Sequence, residues 1–246
     1  QEMSPLPRDE PFVKPTKPAH PMAMVGVDFM QFEGKHRLVM CDRYSGWLWA
    51  SDTMSNTDTS ATIGVMEAWF DTWGWPYHIR SDGGPQFRSA FQEWCNANGI
   101  NHELSSAHNP ASNALAKVAV REVKNVLKKA NPQTKEATRR ALAVYNNTSR
   151  ADGYSPAQMF LGRRMKLNLP TLTRHTSIEK GNFTKGIKER MKTKRKKIAA
   201  HDKGARRLSP LAVGQEAVLY DHNTNRFSIP VTIESQRQLG RSYEVE

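Results

Sequence analysis

Met22–Ala50 reads MAMVGVDFMQFEGKHRLVMCDRYSGWLWA. Met22–Phe32 is a near-continuous apolar run interrupted by Asp28, and Glu33-Gly34-Lys35 supplies turn residues. His36–Cys41 is a second apolar run, and Trp47–Ala50 a third, entered through Tyr44-Ser45-Gly46. Apolar runs this short, punctuated by glycine and polar residues, predict a hairpin followed by a further antiparallel strand. A carboxylate inside such a strand is expensive to bury without a partner, which singles out Asp28.

Downstream the period changes. Asp58–Trp73 carries Ile63, Met66, Trp69, Phe70 and Trp73 at helical spacing, with Asp58 near its start and Gly74-Trp75-Pro76 to stop it. Tyr77–Ser81 reads as a short strand ending at Asp82, where Gly83 and Gly84 let the backbone bend sharply. Phe87–Asn98 reads as a second helix closed by Gly99, and Ile100–Ser105 as another strand. Three strands, helix, strand, helix, strand, helix is a mixed α/β order, and such sheets gather their chemistry at strand ends.

The next helix follows a turn-rich loop within Ser105–Ala130, with Asn113 placed as an N-cap. Its residues Leu115, Val118, Ala119, Val123, Val126 and Leu127 recur at three- and four-residue steps, the period of one buried face. Lys117, Arg121, Lys124 and Lys128 recur at the same steps and predict a basic face on the same helix. Lys135–Asn147 predicts one more helix, and Gly153-Tyr154-Ser155-Pro156 opens a short one through Phe160.

A formal charge of +12 on 246 residues makes a polyanion the expected partner, nucleic acid ahead of an anionic membrane surface. No apolar run approaches the roughly 18 residues that a membrane span requires, so no membrane partner is expected. Cys41 and Cys95 lack the spacing of a structural zinc site and read as buried thiols. Residues 1–20, with five prolines and no periodicity, read as an extended leader, and 21–164 as the α/β core. Residues 165–207 form a basic linker that includes Lys194, Arg195, Lys196 and Lys197, a candidate polyanion contact and nuclear-import signal. Alternation returns in 208–246, where short runs around Ala217–Tyr220, Ser228–Ile233 and Ser242–Val245 predict a small β-barrel.

Several motifs, in order, resemble the integrase of retroviruses and gypsy-type retrotransposons. They are Val27-Asp28-Phe29, Cys41-Asp42-Arg43-Tyr44-Ser45-Gly46-Trp47, Trp73-Gly74-Trp75-Pro76, Ile79–Phe87, Asn109–Asn113, Tyr145-Asn146 and Gly153–Pro156 with Leu161-Gly162-Arg163. Gly240-Arg241-Ser242-Tyr243 resembles the same proteins' C-terminal domain. The resemblance implies a ribonuclease-H-like mixed sheet flanked by helices, a C-terminal SH3-like barrel, an ancestry in DNA integration by strand transfer, and a homodimer.

It also implies a catalytic triad of two aspartates and a glutamate holding Mg²⁺ or Mn²⁺. Asp28 and Asp82 match the aspartates, as catalytic and metal-binding positions. The third position, 35 residues beyond Asp82, holds Lys117. Ala111 and Ala114 stand where the family has glutamine and glycine. Two unit charges about 4 Å apart are worth about 4 kcal/mol at an effective dielectric of about 20, so an ammonium there opposes a divalent ion by several kcal/mol. The second metal site is expected to be lost. Glu122 lies about 140° around the helix from Lys117 and is poorly placed to substitute.

The expectation is thus a nuclear, retroelement-derived DNA-binding pseudoenzyme, a domesticated integrase whose nucleic-acid contacts are Lys117, Arg121, Lys124, Lys128 and Lys194–Lys197. Two rivals stand beside it. One is an active or residual Mg- or Mn-dependent integrase or nuclease using Asp28 and Asp82; the other is a non-catalytic dimeric interaction scaffold.

Overall fold

The computed structural model describes residues 18–105, 114–132, 134–151, 153–168, 188–189, 192–193, 195–200, 202–203, 209–221, 226–236 and 243–246. The chain divides into two compact units, Lys17–Arg190 and one that contains Met191–Glu246.

The larger unit is built on a five-stranded sheet of order β3-β2-β1-β4-β5. β1 (Met24–Phe32) and β2 (Lys35–Asp42) form the expected hairpin, paired from Val25↔Asp42 to Phe32↔Lys35. Glu33 and Gly34 both have positive φ, 50° and 73°, which is the twist-matched geometry of a two-residue hairpin turn. β3 (Leu48–Ala50) adds antiparallel to β2. β4 (His78–Ser81) and β5 (Asn101–Leu104) run parallel to β1, which requires a helical crossover before each.

Those crossovers are α1 (Thr59–Trp73) and α2 (Ser89–Ala97). Asp58 caps α1, its carboxylate accepting the Ala61 N–H at 2.8 Å. The predicted helix from Phe87 is broken: Pro85–Phe87 is a 3-10 turn, and extended backbone at Arg88 separates it from α2. Strand alternation sends Val25, Val27, Leu38, Met40 and Ile79 to one face of the sheet, where Met66, Phe70, Phe91 and Cys95 cover them. Met30, Val39, Cys41, Leu48 and Ala50 cluster on the opposite face under α3 (Ala114–Ala130) and α4 (Lys135–Asn147). A short α5 (Pro156–Leu161) starts with a capping box between Ser155 and Gln158.

The buried stripe of α3 is Ala116, Ala119, Val123 and Leu127, each at most 2% exposed. Val118, expected in that stripe, is 43% exposed; the pattern admitted it because a valine one step off the stripe keeps an apolar period. Asn113 lies outside the described residues, so its capping role does too. Trp69 is buried, whereas Trp73, on the same helical period, is 37% exposed. Cys41 and Cys95 are buried and unbridged.

The smaller unit contains β6 (Glu216–Asp221), β7 (Arg226–Gln236) and β8 (Tyr243–Val245) in one antiparallel sheet. The described residues form three strands here, with a register shift at Leu219/Tyr220. Residues 195–200 are helical and largely exposed.

A carboxylate pair, a basic helix and a two-arginine pocket

Asp28 lies on the α3 side of the sheet, opposite Val39 of β2. The parallel register of β1 with β4 ends at Gly26↔Arg80; carried two residues further, it sets Asp28 alongside Asp82, just past the end of β4. Both aspartates are half-buried. Burial and the Asp82 charge push the Asp28 carboxyl up to about 6, against the opposing pull of the Phe29 backbone, Lys117 and Lys124. The two carboxylates therefore share one electrostatic site, and Lys117 and Lys124 act on it with the opposite sign.

Asp82 is held from behind. Its carboxylate accepts the Gly84 N–H at 3.1 Å, which shapes the turn after β4. The preceding Ser81 is fully buried, with its hydroxyl 2.7 Å from His102 Nε2, and His102 Nδ1 sits 2.9 Å from Gln92 Oε1. With Nδ1–H donating to the Gln92 carbonyl oxygen, Nε2 is an acceptor, and the single Ser81 hydroxyl proton is divided between it and the Asp82 carbonyl at 2.9 Å. Burial lowers the His102 pKa to about 4, so the ring is neutral near pH 7. Sequence reading assigned nothing to His102, since a lone histidine in a strand carries no spacing signal.

On α3, Lys117, Arg121 and Lys128 are exposed and Lys124 is half-buried. The buried stripe Ala116, Ala119, Val123, Leu127 fixes the rotation of the helix, and 100° per residue then places 117, 121, 124 and 128 along its outer side. Lys117 and Lys124 reach the Asp28 field, so the basic stripe begins at the carboxylate pair. The Glu122 carboxylate is paired with Arg121 Nε at 3.5 Å. Of the basic cluster after residue 190, Arg195, Lys196 and Lys197 are exposed, and Lys194 lies outside the described residues.

Sequence reasoning also missed a pocket of about 300 Å³ between β2, the β2–β3 turn, α3 and the end of α4. Arg150 is anchored in its wall. Its guanidinium donates to the Gly46 carbonyl at 2.8 Å and the Ser45 carbonyl at 3.5 Å, and it bonds the Tyr145 side chain. Gly46 is required for this: its φ is 72°, and a Cβ would strike Arg150 Nη1. Arg43, its Nη1 against Met24 Sδ at 3.3 Å, and Glu122 complete the polar lining. Arg43 lies within the quoted Cys41–Trp47 motif, but its approach to Arg150 depends on tertiary packing across more than 100 residues.

The geometry agrees with comparisons to known proteins. Residues 18–110 match the Integrase core domain family. The Pol polyprotein of Feline endogenous virus ECE1 is 31% identical over 134 residues, 52% of this chain. The chain spans only 13% of that relative's length, and 8% of the Baboon endogenous virus Gag-Pol polyprotein. A chain of the simian T-cell lymphotropic virus intasome, solved in complex with PP2A regulatory subunit B56 gamma, superposes with a TM-score of 0.57 at 21% identity, covering 72% of this chain and 65% of that one. The catalytic core domain of BIV integrase superposes at 0.50 and 20% identity, covering 57% and 94%. The two superpositions speak to the fold.

Proposed function

We propose that this chain, which carries an integrase core domain related to that of the retroviral Pol proteins, binds DNA through α3 and has lost strand-transfer chemistry. The observation that carries the reading is Lys117: it stands at the family's third carboxylate position, opposes part of the upward push that burial and Asp82 exert on the Asp28 carboxyl, and begins the stripe continued by Arg121, Lys124 and Lys128. A phosphate backbone along that stripe meets lysine and arginine heads that give up hydration and release counterions from the nucleic acid.

The resemblance implies Mg²⁺ or Mn²⁺, which would polarise a phosphoryl oxygen and activate water. The donor set here does not fit a metal pair. Asp28 and Asp82 offer hard oxygens on one side, while Lys117 and Lys124 bring like charge toward the same position. Among the described residues no group of three His, Cys, Asp or Glu side chains could hold an ion. The amines act on Asp28 with the opposite sign to Asp82, and Arg121 and Lys128 extend the positive charge offered to phosphate along the helix.

Arg195, Lys196 and Lys197 are a further backbone contact and a nuclear-import signal within the same reading. The small sheet is part of an SH3-like fold, and the core assembles as a homodimer. No helix among the described residues is long and apolar enough to cross a membrane.

The test is strand transfer and nicking on a short labelled duplex, with Mg²⁺ and then Mn²⁺, by this chain and by Lys117→Glu. Duplex binding in EDTA without product formation, and product from Lys117→Glu alone, is the expected result. Product from the unaltered chain that disappears in Asp28→Asn would establish the residual-enzyme alternative instead, a reading that the shared Asp28–Asp82 field favours.

A further inference from the structure

The pocket beside α3 is not absorbed by a phosphate-binding stripe. Val118 and Glu122 each follow a stripe residue by one step, 100° around the helix, and both line the pocket. Arg121 pairs with Glu122 at 3.5 Å, which joins stripe and pocket directly. A strand whose phosphates run along Lys117, Arg121 and Lys124 therefore lies on the flank of α3 next to the pocket, and a base swung away from its phosphates spans the roughly 100° between them.

The lining selects what can enter. A phosphate or carboxylate is drawn by Arg43 and Arg150 but leaves Glu122, whose side chain is 30% exposed, facing like charge. A wholly apolar group would strip water from Arg43, Arg150 and Glu122 without replacing its hydrogen bonds. What satisfies both is a neutral flat ring with two adjacent N–H donors for the carboxylate and acceptors elsewhere for the guanidiniums. Among the nucleobases only guanine has this set, N1–H and the N2 amino group on one edge and O6 and N7 on another, and Arg pairs well with O6 and N7. Val118, 43% exposed at the rim, offers an apolar surface to the ring. About 300 Å³ is at the small end of the ligand-pocket range, room for one heterocycle. Arg150 is already fixed by two backbone carbonyls and Tyr145, so little of its freedom remains to be lost on binding.

Building on the DNA-binding reading of α3, we infer that the pocket formed by Arg43, Val118, Glu122, Tyr145 and Arg150 binds an unpaired guanine. The base comes from a single-stranded or splayed segment held on the stripe, or from a free guanine nucleotide; the chemistry is the same. Unpaired bases are recognised in this manner, by hydrogen bonds to their exposed edges after leaving the stack.

The experiment is fluorescence anisotropy with a labelled oligo(dT) strand and the same strand carrying one central dG, repeated with unlabelled guanosine 5′-monophosphate as competitor. Isothermal titration of the monophosphate alone runs in parallel. The expected result is about tenfold tighter binding of the dG strand. Glu122→Gln should abolish the preference without weakening oligo(dT) binding, and Val118→Trp, which closes the mouth from the surface, should do the same. Equal binding of the two strands, with monophosphate binding that Glu122→Gln removes, assigns the pocket to a free nucleotide. Equal strand binding with no monophosphate binding overturns the inference, as does a preference that survives Glu122→Gln. Binding of neither strand refutes the DNA-binding reading itself, and monophosphate titration then decides the pocket alone.

Discussion

The Asn146 carboxamide brackets Leu48: its Oδ1 accepts the Leu48 N–H at 2.9 Å and its Nδ2 donates to the Leu48 carbonyl at 2.7 Å. β3 is the edge strand of the core sheet among the described residues, and on its outward side a side chain from α4 partners the backbone. Asn146 is 2% exposed and Leu48 3%. Replacing it by alanine leaves a buried donor and acceptor unsatisfied, each costing about 1–3 kcal/mol. Asn146→Ala should lower urea stability by about 2–4 kcal/mol, and Asn146→Asp, which keeps only the acceptor, should also destabilise. Unchanged midpoints would mean that water replaces both bonds.

Gly46 and Arg150 make a second long-range latch. A side chain at Gly46 is strained by φ 72° and would strike Arg150 Nη1. Gly46→Ala should destabilise by about 1–3 kcal/mol, through both backbone strain and loss of the Arg150 bonds to Ser45 and Gly46. A double-mutant cycle with Arg150→Ala measures the coupling. Additive losses would show that the guanidinium does not depend on the missing Cβ.

His102 gives the core a signed pH dependence. Its folded pKa of about 4 lies below the unfolded value of 6.5, so the unfolded chain takes up a proton first as pH falls. The stabilisation is complete above pH 6.5 and is lost as pH falls toward 4. Asp28, raised to about 6 from 3.8, acts oppositely: its contribution is complete below 3.8 and lost as pH rises through 6. Urea midpoints from pH 7 to 4 should separate the two. His102→Gln should remove a fall in stability toward acid, and Asp28→Asn a fall toward neutrality. A ring that titrates near 6.5 by NMR in the folded protein would disprove the buried neutral imidazole.

The sheet was legible in sequence because its determinants are local. Two left-handed turn residues at Glu33-Gly34, β-period runs on either side, and helix stops at Gly74 and Gly99 each act within a few residues. The Asp28–Asp82 pairing came from motif order, and the register of β1 with β4 explains it physically. What escaped were features made by packing across the chain. The pocket joins Arg43 to Arg150 through Gly46, and the Gln92–His102–Ser81 relay behind Asp82 joins three elements. Val118 was misplaced because hydropathy alone does not fix helix rotation when alanines form the buried stripe.

The charge on α3 makes the most direct prediction about function. If Lys117, Arg121, Lys124 and Lys128 each neutralise one phosphate, log affinity for duplex DNA falls with log salt by about 0.9 per contact. Single glutamine substitutions at Arg121, Lys124 or Lys128 should each make that slope about 0.9 shallower and weaken binding alike across sequences. Lys117→Gln should do less, because part of its charge already serves Asp28. Combining Lys117→Gln with Asp28→Asn tests this: removing the carboxylate should recover much of the affinity that the lysine substitution costs. Equal losses at all four positions, with no recovery in the double variant, would show that Lys117 is an ordinary member of the stripe. In that case the carboxylate pair and the basic helix would be electrostatically independent.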